Sequence, residues 1–257
     1  MSDRYGFEGV RPLAIVTGGA KRVGRAIVGA LAQGGCDVLL TYRTSGEEAN
    51  ALCEELSREG GRVRACALDL SNPDKAVAEA TRWSTSLPRI DVLVHNASIY
   101  PPSPMDQPLG EVAAEAWRVN ALAPLFISRE LAPRLAESAL PGGGSIVAML
   151  DIHAMGRPRR GFIAYSMAKA ALHEMVRSLA IELAPKVRVN AVAPGVVAWP
   201  ETGYESDPAA QQKYLRRVPL TRAGTPDEAA EVVRWLALEA TYVTGQTIRV
   251  DGGRWLT

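Results

Sequence analysis

Tyr165 and Lys169 stand four residues apart in the stretch Ser145 to Lys169, a spacing that sets a phenol and an ammonium on one face of a helix. A neighbouring ammonium stabilises a phenolate and draws the phenol's pKa toward the working range, which suits a tyrosine to act as a general acid. Tyr165 is therefore read as a proton donor tuned by Lys169. A loop earlier, an apolar run ends on an acid, Asp151. A chain of this composition would hold on the order of 0.1 Tyr-x-x-x-Lys pairs by chance, so the meaning of this one depends on the elements that would hold it in place.

Those elements alternate. Leu13 to Thr17 is a short apolar run broken by Gly18-Gly19, and Val23 to Gln33 then has helical periodicity. Strand patterns at Asp37–Tyr42, Arg62–Leu68, Ile90–Val94, Ser145–Leu150, Val187–Ala193 and Thr247–Val250 alternate with helical patterns at Gly46–Glu59, Pro73–Ser86, Val112–Ala136, Phe162–Leu183 and Pro226–Leu238. Strands and helices at this interval predict right-handed βαβ units and an α/β fold, a doubly wound, seven-stranded parallel sheet. The 257 residues, 47% of them hydrophobic, suit one large core, and residues 1–257 read as a single domain. Val196 to Val218 is irregular, with a short helix predicted at Pro208–Arg217. Beyond a strand's carboxyl end such a segment is placed to cover a ligand crevice, so 196–218 is read as a lid, with a plain surface insertion as the alternative.

The turn after the first strand, Thr17-Gly18-Gly19-Ala20-Lys21-Arg22-Val23-Gly24, can bring backbone and helix amides up to a pyrophosphate. Its place at the head of a βαβ series makes a nicotinamide dinucleotide the leading ligand. The second strand ends on Tyr42-Arg43-Thr44-Ser45 instead of the acid that a free ribose 2′-hydroxyl would take; with Lys21 also cationic, the site suits a 2′-phosphate and hence NADPH/NADP+. Asp69-Leu70 closes the third strand where an acid reaches the adenine edge, and Asn96-Ala97 closes the fourth where the backbone can approach the cofactor. Ordinary turn chemistry is the alternative for both.

A net charge of +1 and the lack of any long basic run argue against nucleic acid or an anionic membrane as partner. The opening MSDRYGFEGVRP has no apolar h-region, which points to a cytoplasmic setting. Cys36, Cys53 and Cys66 lack metal spacing and the three histidines stand without a partnering cluster, so no metal is expected.

Taken together, the sequence resembles the short-chain dehydrogenase/reductase family along nearly its whole length. The resemblance rests on TGGAKRVG (17–24), DL (69–70), HNAS (95–98), Asn120, YSMAK (165–169), RVNAVAPG (188–195) and the final VTGQTIRVDGG. It implies a single Rossmann domain assembled as a homotetramer or homodimer. It also implies catalytic roles for Tyr165, Lys169 and Asn120, the last holding a water that connects to the lysine. The cofactor shell it implies takes in Gly18, Lys21, Arg22 and Val23 in the first turn, and Tyr42, Arg43, Thr44 and Ser45 after the second strand. Asp69, Leu70, Asn96, Ala97 and Ser98 follow, with Tyr165, Lys169, Pro194 and Gly195 completing it.

Three departures are informative. Arg22 stands where the family commonly has glycine, Asp151 where it has serine, and HNAS with Tyr100 beyond replaces NNAG. Each resembles the pteridine reductase branch, including the bacterial dihydromonapterin reductases, and implies a pterin substrate contacted by Arg22, Ser98, Tyr100, Asp151 and Tyr165. The chemistry agrees: a carboxylate repels a developing alkoxide but suits the N–H donors of a pterin or, protonated, a ring nitrogen. Tyr100 is expected to stack on the heterocycle and Arg22 to reach the pyrophosphate and the pterin's polar edge. Asp151 as a strand-end acid that merely organises its loop, and Tyr100-Pro101-Pro102 as loop packing, are the alternatives. The rival functions are a carbonyl reductase acting on a ketone such as a 3-oxoacyl thioester and a non-catalytic NADPH-binding module.

Overall fold

The computed structural model describes residues 5–201 and 204–257. Its sheet has the order β3-β2-β1-β4-β5-β6-β7 with every pair parallel. The strands are β1 (Leu13–Val16), β2 (Asp37–Tyr42), β3 (Val63–Ala67), β4 (Val92–His95), β5 (Gly144–Met149), β6 (Val187–Pro194) and β7 (Thr247–Val250). Strands β1, β4 and β5 are buried at every residue, as a sheet covered on both faces requires. Thus the α/β fold is the doubly wound, seven-stranded parallel sheet expected from the alternation.

The helices divide between the faces. Ile27, Val28 and Leu31 of α1 (Arg22–Gln33), Leu52 and Leu56 of α2 (Gly46–Arg58) and Val233 and Leu236 of α8 (Pro226–Leu238) fill one apolar layer. Ala80 and Trp83 of α3 (Pro73–Ser86), Ile127 and Leu131 of α5 (Ala123–Leu135) and Leu172 and Val176 of α6 (Ile163–Glu182) fill the other. The strand order reverses between β1 and β4, opening a crevice at their carboxyl ends.

The long helix expected over Val112–Ala136 is three pieces: α4 (Gly110–Trp117), a π turn at Arg118–Leu122, then α5. The Ala123 N–H bonds to the Arg118 carbonyl, one residue beyond α-helical register. Pro124, which in an α-helix would serve the Asn120 carbonyl, has no N–H to give. In the 196–218 segment the expected helix is α7 (Pro208–Leu215), with Asp207 Oδ1 accepting from Ala209 N at 3.2 Å. Thr202 and Gly203 of the predicted lid lie outside the described residues. Trp255 packs against the chain's own core, while Leu256 is exposed.

Candidate active site

At the first turn, Thr17 Oγ1 accepts from the backbone N–H groups of Asn96 and Ala97, both at 3.1 Å. Asn96 Nδ2 returns bonds to the carbonyls of Thr17 (3.1 Å) and Gly18 (2.8 Å), stitching β1 to β4 where the order reverses. Gly18 has φ +65°, and a Cβ there would lie 2.8 Å from Ala97 Cα. Only glycine lets the turn approach this closely. No side chain caps α1, whereas Thr225 and Glu228 form a reciprocal capping box on α8. The free amides of α1 thus face a cavity of about 360 Å³, the disposition that takes a phosphate. Gly18, Lys21, Arg22, Val23, Tyr42, Arg43, Asp69, Leu70, Asn96, Ala97 and Ser98 all line it. Thr44 and Ser45 are absent from that lining and lead into α2; Pro194 and Gly195 close β6, where Gly195 N bonds to Val250 O at 2.9 Å. The cations expected for a 2′-phosphate rest on exposed acids, Lys21 on Glu48 and Arg43 on Glu115. Asp69 accepts from Ser71 N at 2.9 Å, and that backbone bond holds its carboxyl below its ordinary pKa.

The buried stripe of α6 explains how Tyr165 and Lys169 are positioned. Leu172, Met175, Val176 and Ala180 press that face onto the sheet, and one turn back the same stripe carries Tyr165 and Lys169. Ser103 Oγ accepts from Ala164 N at 3.1 Å and fixes the start of the helix. Tyr165 is 7% exposed and its hydroxyl donates to Asp151 Oδ2 at 3.1 Å; Asp151 Oδ1 accepts from His153 N at 2.7 Å. The carboxylate therefore organises its own loop and also meets the phenol. Lys169 is buried, its Nζ donating to Met149 O at 2.7 Å, which leaves two of its three N–H bonds uncommitted. Burial draws its pKa down to about 8 despite the opposing pull of Asp151. Asn120 is buried within the π turn, with Oδ1 accepting from Ser98 Oγ and Ile99 N (both 3.0 Å) and Nδ2 donating to Ile99 O (2.9 Å). These bonds hold the loop after β4 against the helix.

Tyr165, Lys169, Asn120 and Asp151 stand outside the lining of the cavity of about 360 Å³, Asn120 joining it through Ser98; comparison with known proteins shows the family. A family model described as enoyl-(acyl carrier protein) reductase matches residues 18–254. The chain belongs to the short-chain dehydrogenase/reductase family. It is 34% identical to pteridine reductase 1 of Leishmania tarentolae, covering 96% of this chain and 97% of the relative. It is also 34% identical to the 3-oxoacyl-[acyl-carrier-protein] reductase of Synechocystis sp. over 94% and 96%, and 29% identical to the 7alpha-hydroxysteroid dehydrogenase of Escherichia coli K12 over 98% and 96%. It is thus an oxidoreductase fold whose relatives act on several substrate classes.

Three expectations for this short-chain dehydrogenase/reductase need correction. The Tyr165 phenol is not drawn toward the working range: burial first, then the Asp151 charge and hydrogen bond, push it well above its ordinary value. Arg22 does not point along the phosphate turn. At φ +52° it occupies the left-handed region, and its Nη2 donates to the carbonyls of Ala198 (2.8 Å) and Trp199 (3.0 Å). Tyr100 does not keep both ring faces for a ligand: Phe162 stacks on it at 4.2 Å and 6°, and Tyr165 meets it edge-on at 4.7 Å. The local cause is Ser103, whose N–H bonds to Gly161 O at 2.7 Å and draws the segment after Tyr100 onto the start of α6.

Phe162, Arg159, Glu205, Trp199 and Tyr214 were missed in the sequence. Arg159 lies over Tyr100 and Phe162 and pairs with Glu205, and Trp199 meets Tyr214 edge-on at 5.6 Å. The available signal was a basic cluster, Arg157 to Arg160, in the loop that leads to the catalytic helix. Arg157 is structural, holding the carbonyls of Arg254 (2.5 Å) and Trp255 (3.0 Å).

Proposed function

We propose that the chain is an NADPH-dependent reductase that converts a dihydropterin to a tetrahydropterin by hydride transfer to a C=N bond. The observation that carries this reading is the Asp151 carboxylate, which takes the Tyr165 hydroxyl at 3.1 Å where reduction of a ketone calls for a neutral donor toward the nascent alkoxide. Arg43 and Lys21 beside the second strand's end suit a 2′-phosphate, and the uncapped α1 suits the pyrophosphate. The bound dinucleotide would supply the hydride.

The chain's own residues handle the proton. Burial and Asp151 keep Tyr165 protonated at neutral pH, so it arrives with a hydrogen to give to the ring nitrogen next to the reduced carbon. Asp151 binds the N–H edge of the heterocycle, and the phenolate left on Tyr165 regains its proton from water after the transfer. Lys169, with N–H bonds left over from Met149, holds the nicotinamide ribose and offsets the phenolate charge. Asn120 fixes the wall formed by Ser98 and Ile99, and Tyr100 packs the substrate edge. The reading includes a cytoplasmic homotetramer or homodimer, supported by the exposed Trp117, Leu125, Ile163 and Met167 on α4 to α6, apolar surface that an assembly would cover; among the described residues no helix is long and apolar enough to cross a membrane.

The test is NADPH oxidation with dihydrobiopterin or dihydromonapterin, beside acetoacetyl thioester and an NADH control. NADPH-specific turnover of a dihydropterin is expected, with loss in Tyr165→Phe while NADPH still binds. Turnover of the thioester alone would assign the chain to ketone reduction, the second reading, which the equal 34% identity to the Synechocystis reductase favours.

A further inference from the structure

Arg159 sits one ring away from the proton donor. Tyr165 meets the edge of Tyr100 at 4.7 Å, and the Arg159 guanidinium lies 5.5 Å from the Tyr100 centroid and 5.1 Å from that of Phe162. Its one carboxylate partner among the described ion pairs is Glu205, on the turn Tyr204–Ser206 that leads into α7. Gln211 Nε2 donates to the Glu205 carbonyl at 3.1 Å and ties that turn to the helix. The pair is largely withdrawn from water, the arginine side chain 25% and the glutamate 16% exposed.

The two partners belong to different bodies. Arg159 is anchored beside the catalytic helix by its stacking on Tyr100 and Phe162, rings that Ser103 fastens together. Glu205 belongs to the segment after β6, and Tyr165 is only 7% exposed, so a substrate that enters from that side requires that segment to shift. When it shifts, Glu205 moves into water, and Arg159 stays behind on its aromatic support. A half-buried guanidinium stripped of its partner is costly unless another anion replaces it. That would leave a planar fork of donors beside Tyr100, the ring whose edge meets Tyr165.

We propose that Arg159 is a specificity-determining residue that takes an anionic group on the substrate's side chain in place of the Glu205 carboxylate. The inference rests on the dihydropterin reading for the identity of the ring, and it adds the chemistry of the substituent. A carboxylate and a phosphate monoester share that chemistry, so the experiment separates them.

The measurement is kcat/KM for NADPH oxidation by the full chain with three dihydropterins: dihydrobiopterin, whose side chain is neutral; dihydrofolate, whose side chain bears carboxylates; and dihydroneopterin monophosphate. Wild type is expected to favour at least one anionic substrate, and the favoured one names the source. Arg159→Ala should reduce the anionic-to-neutral ratio about tenfold and Arg159→Lys by less. Glu205→Gln, which removes the internal competitor, should lower KM for the favoured anionic substrate. A purely structural role for the pair would depress all three substrates together and leave the ratio unchanged; that result, or a wild type that favours neither anion, overturns the inference while the dihydropterin reading stands. A wild type that turns over none of the three overturns both.

Discussion

Replacing His95 with Asn tests whether a neutral buried imidazole underlies the site. His95 ends β4, is 2% exposed, and sets Nε2 2.8 Å from Ser128 Oγ on α5, while its Nδ1 has no hydrogen-bond partner among the described residues. Protonation would bury both a charge and an unpaired donor, and burial accordingly draws the pKa down from 6.5 to about 3, with the Lys169 charge adding to the fall. Between those values the unfolded chain binds a proton that the folded chain refuses, so stability is lost as pH falls from 6.5 toward 3. The loss is about 1.4 kcal/mol by pH 5.5 and about 3 kcal/mol by pH 4.5. Urea unfolding of wild type and His95→Asn, followed by tryptophan fluorescence at pH 7.5, 6.5 and 5.5, isolates this contribution, because all other titrations are common to both. The wild type should lose about 1.4 kcal/mol relative to the variant between pH 7.5 and 5.5. Parallel pH dependences would refute the reasoning and place a protonated imidazole beside Lys169.

Lys169, drawn down to about 8, should set an alkaline limb in kcat/KM, activity falling as pH rises through that value and the ammonium is lost; Asp151→Asn, which removes the charge holding it up, should move the limb to lower pH, and a limb that stays put would count against the lysine's role. Arg43→Ala should cut the NADPH-to-NADH ratio of kcat/KM by roughly tenfold or more, an unchanged ratio assigning the arginine to Glu115 alone. Gly24→Ala places a Cβ 2.1 Å from Gly18 O and 2.6 Å from Asn96 Nδ2, so NADPH affinity, read by fluorescence titration, should fall more than tenfold, whereas Gly29→Ala, with nothing within 4 Å, should leave it unchanged.

What was legible in the sequence follows the reach of each signal. The strand and helix alternation, the glycine turn and the Tyr165–Lys169 face are set by residues within a few positions of one another, and local periodicity reports them. The π turn is written only in the meeting of Asn120 with Pro124, four residues on, which hydrophobic periodicity does not register. Arg22 meets the carbonyls of Ala198 and Trp199, and Arg159 meets Glu205, across long separations with no repeating pattern between them. Tyr100 was visible as an aromatic in the right loop, but its neighbour Phe162 depends on Ser103 drawing two loops together. The direction of the Tyr165 pKa shift was not legible because spacing shows that Lys169 is near without showing that the phenol is buried and bonded to Asp151.

The grip of Arg22 on the segment after β6 has a thermodynamic corollary. One guanidinium lines the cavity beside α1 and also holds two carbonyls of the segment that follows β6. A phosphate that draws this fork toward α1 weakens its hold on Ala198 and Trp199, and the coupling is reciprocal: whatever the cofactor does to the freedom of that segment, a ligand seated beneath the segment does in equal measure to the cofactor's affinity. If the cofactor's phosphate competes for this fork, the cofactor cavity and the segment after β6 share one equilibrium through Arg22.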